Sequence, residues 1–268
     1  MINNTPRIGN FTSSEIGALM SKDRSGKGFG APALTYIKET NMERRLGRSL
    51  TDEINARPLI WGKLLEGHVF SLLGLEYTLS STETISHPSI SFWSGSPDGG
   101  KYQPARTVVD IKCPITLKSF CQLVDAYREG GIEKVRDDHK DGEKYYWQLV
   151  SNAILTGADH AELIVYMPYQ SELSDIRMLA ANVPGEVAGK YYWIAMAGED
   201  DLPFIKDGGF YKNLNILGFP VPDADKAALT AAVLKAGEML INQPKQLATP
   251  DDSTPYEMVL DDTNALKI

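Results

Sequence analysis

The six residues Thr107-Val108-Val109-Asp110-Ile111-Lys112 constrain this chain more than any other stretch. The β-branched run, closed by Pro114, reads as a strand, and a strand turns successive side chains to opposite faces. Asp110 and Lys112 therefore point together while Ile111 packs the other way. A fold built on this strand must give an acid and a base a common setting on one face. Upstream, Ser89-Ile90-Ser91-Phe92-Trp93-Ser94 reads as a neighbouring strand that leads into Ser96-Pro97-Asp98 and a turn at Gly99-Gly100. Pairing of the two strands brings Asp98 beside Asp110.

Two carboxylates and an ammonium in one small site suit Mg²⁺, which keeps several waters and borrows further ligands from a substrate phosphate. Mn²⁺ is the expected substitute. The chemistry such a group suits is metal-assisted phosphodiester hydrolysis, with Lys112 orienting water or stabilising the developing charge. A second triplet, Asp138-His139-Lys140, sits in a polar stretch with no strand pattern and is set aside. Glu66, inside the apolar helical run Trp61-Gly62-Lys63-Leu64-Leu65-Glu66-Gly67-His68-Val69-Phe70, is a third acid able to aim at the acidic strand ends.

Composition narrows the class. The chain has 268 residues, 43% hydrophobic and 23% charged, the balance of a folded globular protein. A net charge of -8 weighs against nucleic-acid binding, although a local basic groove can coexist with an acidic whole. Two cysteines, Cys113 and Cys121, are too few for a disulfide framework, a four-thiolate zinc site or an iron–sulfur cluster. The four histidines show no HxxxH spacing, no G-x-S-x-G elbow occurs, and the loop Asp23-Arg24-Ser25-Gly26-Lys27-Gly28-Phe29-Gly30 lacks the Walker frame. No run approaches a membrane span and the start carries no signal pattern, so a cytoplasmic location with no membrane partner is expected.

Helical periodicity covers 31–47 and 58–74, the second with Pro58 in its first turn, and a short helix is expected from Ser13, where Thr12 and Glu15 have capping-box spacing. Further on come a helix over 116–127, a charged Gly-broken stretch over 129–144 and a helix over 143–156. Strands at Leu163-Ile164-Val165-Tyr166-Met167 and Tyr191-Tyr192-Trp193-Ile194-Ala195 and an Ala-rich helix over 224–241 follow. Tyr145, Tyr146 and Trp147 beside Gln148 read as core, the alternative being a stack on a frayed base. The series describes an α/β or α+β domain over 1–243, a central mixed sheet flanked by helices. Residues 244–268, rich in Pro, Asp, Ser and Thr, read as an acidic mobile tail.

The order of motifs resembles the lambda-exonuclease (YqaJ-type viral recombinase) branch of the PD-(D/E)xK nucleases, over residues 7–168. The likeness is carried by Arg7-Ile8-Gly9 with Thr12-Ser13-Ser14-Glu15, then Arg24-Ser25-Gly26-Lys27, Asn55-Ala56-Arg57, and Trp61-Gly62-Lys63 with Glu66. Ser96-Pro97-Asp98-Gly99, Lys112-Cys113-Pro114 and Gln148 complete it. Asp110 stands where that branch commonly has Glu.

The resemblance implies a restriction-endonuclease-like core, with Asp98, Asp110 and the carbonyl of Ile111 as metal ligands and Lys112 as the catalytic cation. It implies that Glu66 holds the metal through water or binds a second one, and that Gln148 places the attacking water or scissile phosphate. Arg7 and Ser14 match positions for a terminal 5′ phosphate, and Arg24 and Lys27 join them as DNA contacts. The implied activity is a Mg²⁺-dependent 5′-to-3′ exonuclease that acts on ends of double-stranded DNA and leaves 3′ overhangs for phage-type recombination. The implied partners are further copies of the chain in a trimeric ring and a single-strand annealing protein. The rival readings are a nicking or structure-specific endonuclease on the same fold and a non-catalytic DNA-end-binding module.

Overall fold

The computed structural model describes residues 7–50, 56–80, 84–104 and 106–241. The expected tail over 244–268 and the motif residue Asn55 lie outside the described residues. In chain order the elements are β1 (Phe11–Thr12), a 3-10 helix (Ile16–Met20), α1 (Ala31–Leu46), α2 (Arg57–Leu72), β2 (Tyr77–Leu79), β3 (Ile85–Ser86), β4 (Trp93–Gly95), β5 (Gly99–Lys101) and β6 (Thr107–Lys112). Then follow α3 (Leu117–Asp138), α4 (Gly142–Thr156), β7 (His160–Tyr166), α5 (Leu173–Ala181), α6 (Ala188–Ala195), β8 (Leu214–Pro220) and α7 (Asp223–Gly237). Among these residues no helix is long and apolar enough to cross a membrane.

The central sheet has the order β2-β5-β6-β7-β8, with β6 and β7 parallel and the other neighbours antiparallel. Because β6 alternates, it feeds two cores. Val108 joins Leu163, Val165, Leu217, Phe120, Leu149 and Val150 on the face covered by α3 and α4. Val109 and Ile111 join Trp61, Leu65, Ile164, Tyr166, Ile176 and Ile194 on the face covered by α2, α5 and α6. Asp110 and Lys112 consequently project toward α3 and α4. A smaller sheet, β1-β4-β3, carries the N-terminal segment alongside.

A polar tie fixes the far end of the β5–β6 hairpin. Lys101 Nζ reaches Glu162 Oε1 of β7 at 2.5 Å, and the Tyr77 hydroxyl of β2 donates to Glu162 Oε2 at 2.8 Å. Close approach shapes the near end: a β-carbon on Gly99 would stand 2.9 Å from the Phe70 ring of α2 and from the Thr78 carbonyl oxygen, so only glycine lets β5 slide between them.

Several expected elements take another form, each for a visible reason. Gly99-Gly100 is strand, not turn, because both residues pair with β2 and β6. The strand expected from Ser89 begins only at Trp93, since His87 Nδ1 accepts the Ser89 and Ile90 N–H groups and turns the chain there. Ser13 does not start a helix; Phe11 and Thr12 pair with β4, and Ser13 Oγ lies 2.8 Å from Ser151 Oγ. The strand expected at Tyr191-Tyr192-Trp193-Ile194-Ala195 is part of helix α6, whose Tyr191 and Ile194, three apart, are buried against α2 and α5; packing overrides β-propensity here. α3 runs well past residue 127, because Gly131 at φ 68 bends the chain and the helical path resumes with Ile132 and Val135 in the core.

Candidate active site

Three elements deliver the site. Asp98 immediately precedes β5, where its N–H bonds the Val109 carbonyl. Its carboxylate folds back onto β6 and takes the Ile111 N–H at Oδ2, 2.7 Å. Asp110, 1% exposed, sits in the middle of the sheet, and Lys112 Nζ approaches its Oδ2 at 2.6 Å. From α4, Gln148 donates Nε2–H to Asp110 Oδ1 at 2.7 Å and turns Oε1 toward Lys112 Nζ at 3.4 Å. α2, with Pro58 in its first turn, buries Trp61, Leu64, Leu65 and Val69 and leaves Glu66 at the edge of that stripe, against Asp98. The structure therefore brings Glu66, Asp98, Asp110, Lys112 and Gln148 together.

The electrostatics follow from this crowding. Burial, then the Glu66 carboxylate beside it, pushes Asp98 up to about 7. Burial also lifts Asp110 to about 6, with Lys112 pulling against it and Asp98 adding to it. Burial works against the Lys112 ammonium, but Asp110 and Asp98 outweigh it and hold the group up at about 12. One ammonium thus compensates the buried Asp110 and the half-buried Asp98 incompletely, which is the charge pattern of a cation site. Among the described residues no three His, Cys, Asp or Glu side chains group as metal ligands. Asp98 and Asp110 would accordingly supply the side-chain oxygens, and backbone carbonyl, water and phosphate the rest. That oxygen-only, partly hydrated set fits Mg²⁺.

Cys113 does not compete as a nucleophile, since burial and the neighbouring Glu66 carboxylate drive its thiol far up.

Two residues assigned to core or set aside prove to back the site. The Tyr145 ring lies 5.2 Å from Lys112 Nζ, and His139 stacks on Tyr145 at 5.7 Å and 25°. His139 itself is 3% exposed, 2.8 Å from Ser119 Oγ through Nε2, and takes the Asp141 N–H at Nδ1. The signal for Tyr145 was its place three residues before Gln148, on one side of α4. Tyr146 and Trp147 are core, as expected.

Arg7 and Ser14 come together elsewhere, on a cleft of about 1340 Å³ that Thr12, Tyr36 and the acids Glu15, Glu39 and Glu43 also line. Ser14 Oγ lies 3.3 Å from Thr12 Oγ1. This cleft is tied to α4, which carries Gln148, because Ser13 meets Ser151 and Glu15 pairs with Lys144 at 2.8 Å, both on that helix. Arg24 and Lys27 do not line it. They stand exposed on a hairpin-like loop closed by a Lys22–Phe29 bridge, in which Asp23 takes the Ser25 N–H and hydroxyl.

No family model matches the chain, and no curated protein matches it. Solved structures do. The alkaline exonuclease LHK-Exo from Laribacter hongkongensis superimposes with a TM-score of 0.53 at 18% identity, over 87% of this chain and 89% of that one. The same exonuclease in complex with dAMP gives 0.54 at 18% identity, over 88% and 90%. A phage-related exonuclease from Haemophilus somnus 129PT gives 0.56 at 14% identity, over 86% and 92%. The mixed sheet flanked by helices that the motifs led us to expect is thus shared along nearly the whole of the described chain, and the protein has the fold of the alkaline and phage-related exonucleases.

Proposed function

We propose that this protein is a divalent-metal-dependent exonuclease that degrades one strand of linear duplex DNA from a 5′-phosphorylated end and leaves a 3′ overhang for recombination. The observation that carries the reading is the Asp110 carboxylate buried on a sheet, with half-buried Asp98 and Lys112 beside it and Gln148 bridging Asp110 and Lys112. Its structural neighbours being exonucleases supports the reaction class. A divalent cation held by Asp98 and Asp110 supplies Lewis acidity at the scissile phosphodiester. Lys112, held at full charge, stabilises the negative charge that grows on the phosphoryl oxygens. Gln148 keeps Asp110 and Lys112 in one orientation, and Glu66 adds a further oxygen ligand or water-holding group at the open side.

Arg7 and Ser14, in the cleft tied to α4, are the proposed contacts of the terminal 5′ phosphate, a guanidinium and a hydroxyl being suited to an oxyanion. The ring of subunits and the annealing partner belong to the same reading, and light scattering that finds only monomer at micromolar protein overturns the ring. The decisive experiment is digestion of linear duplex with Mg²⁺, labelled at either end, with 5′-phosphate and 5′-hydroxyl versions and Lys112→Ala as control. Shortening from the phosphorylated 5′ end, lost in the variant, is the expected result. Lys112-dependent nicking of closed circles without digestion of linear DNA would replace exonuclease by endonuclease, and cutting unaffected by Lys112→Ala would overturn the site.

A further inference from the structure

The parallel register of β6 and β7 puts Lys112 level with Val165, and the antiparallel register of β7 and β8 puts Tyr166 opposite Leu214. Asn215 therefore stands level with Lys112, about 10 Å away by ordinary strand spacing across two strands, and the loop that enters β8 leads off from that edge of the sheet. At its tip Phe210 is 78% exposed, a large apolar ring left in water. A single exposed ring is unremarkable by itself, but this one is braced. The Arg128 guanidinium of α3 lies 5.2 Å from the Phe210 ring and 5.7 Å from that of Tyr211, and the two rings meet edge to face at 5.0 Å and 88°. Tyr211 is anchored in turn, its hydroxyl donating to Asp125 Oδ2 at 2.6 Å and its ring against Phe120 at 5.7 Å. Phe210 is thus held outward on a rigid footing.

The charge around it favours an anion. Lys206 and Lys212 flank the tip, both exposed and neither in an ion pair among the described residues. The loop's own acid, Asp207, is occupied by the Ser171 N–H and hydroxyl. Asp125, which takes the Tyr211 hydroxyl, lies 4.0 Å from Arg128. An exposed aromatic with a stacked guanidinium, set among lysines, is the chemistry that grips unpaired nucleic acid: the ring and guanidinium offer flat faces to a base and the cations meet the backbone. α3 covers the face toward which Asp110 and Lys112 project, so the platform and the catalytic group share one side of the sheet.

We propose that Phe210, braced by Arg128 and Tyr211, is a stacking platform for an unpaired base of DNA beside the catalytic group. The inference rests on the exonuclease reading, in which one strand is left single as the other is removed. The platform holds that strand close to the point of cutting.

The test uses the full chain in EDTA, so that nothing is cut, and a single-stranded oligomer carrying 2-aminopurine, whose fluorescence falls when the base stacks. The parent should quench it. Phe210→Ala should bind the oligomer about tenfold more weakly, the loss of one base stack, and abolish the quenching, while Phe210→Trp keeps both. Arg128→Ala should weaken binding in the same direction, and blunt duplex should bind parent and Phe210→Ala alike. Phe210→Ala that binds and quenches like the parent overturns the platform, whatever the enzyme does to linear duplex with Mg²⁺. Complete displacement of the oligomer by millimolar free dAMP would mark a mononucleotide pocket and overturn the strand assignment. Should the parent bind neither single-stranded nor duplex DNA, the exonuclease reading falls and takes the platform with it.

Discussion

Gln148 donates to Asp110 Oδ1 at 2.7 Å, and this bond decides which way the amide faces. With its nitrogen committed to the carboxylate, Oε1 turns to Lys112, and the ammonium lies between two oxygens of different residues. Gln148→Ala removes both restraints. The single-turnover rate on linear duplex should fall about 10- to 100-fold, the usual cost of losing a group that orients a ligand. Gln148→Glu, which sets a third carboxylate against Asp110, should be slower still at neutral pH. A Gln148→Ala rate equal to that of the parent would remove Gln148 from the machinery.

Tyr145 presents its ring to the same ammonium. Replacing it by Leu should reduce kcat about 2- to 30-fold, equivalent to about 0.5–2 kcal/mol for a cation over an aromatic face. Tyr145→Phe, which keeps the ring, should stay within about twofold. A Phe variant as slow as the Leu variant would assign the effect to the hydroxyl.

Asp98 titrates near 7 when no cation offsets its burial and Glu66, well above its ordinary value of 3.8. A carboxylate whose folded value is raised favours the protonated protein, so the Asp98 contribution to metal-free stability should fall as pH rises from about 4 through 7 and level off above it. Asp98→Asn keeps an acceptor for the Ile111 N–H and discards the charge. In EDTA at pH 8 it should melt a few degrees above the parent, at about 2–4 °C per kcal/mol for a chain of this size, while losing cutting. Differential scanning calorimetry of parent and Asp98→Asn across pH 5–8.5, with EDTA or with Mg²⁺, checks both statements; a Tm difference that does not grow in favour of the variant with rising pH in EDTA contradicts them.

His139 pulls the other way. Burial lowers its pKa from 6.5, with Lys140 adding to this and Asp141 opposing it. The folded state keeps the ring neutral, with Nδ1 accepting the Asp141 N–H. Its contribution is complete above about pH 6.5 and is lost as pH falls below that, because the unfolded chain takes up the proton first. His139→Gln should flatten the acid limb of the stability profile. An NMR titration in which the His139 ring protonates above pH 6.5 in the folded protein would refute this.

How much of this could be read from residues alone depends on where the information sits. Asp110 and Lys112 were legible because strand alternation is local, whereas Asp98 reaches them through β5 and not through the strand expected at 89–94, which pairs with β1 and β3 in the smaller sheet. Helices α1, α2 and α4 were legible for the same reason, from a periodic apolar face with Pro or Gly near an end. Helix α6 was not, since its aromatic and β-branched residues favour a strand until α2 and α5 bury Tyr191 and Ile194. β8 was also passed over: its burial alternates at Leu217 and Phe219, but Asn215 and Gly218 interrupt the pattern. The burial of His139 was not legible, because the polarity of Asp138 and Lys140 hides a ring that Ser119 and Tyr145 cover. Gln148 came only with the resemblance, since nothing local distinguishes an amide aimed at a carboxylate from one aimed at water.

The tie of Lys101 and Tyr77 to Glu162 has a consequence for descent as well as for shape. It fixes how β5 lies against β6 from the end remote from the chemistry, so the alignment of the two aspartates does not depend on the length of chain that joins the strands after Lys101. A change in the number of residues between Lys101 and Arg106 should then leave the carboxylates in their places. A clamp of this kind lets one architecture accommodate sequences as different as those of the solved exonucleases, at 14–18% identity.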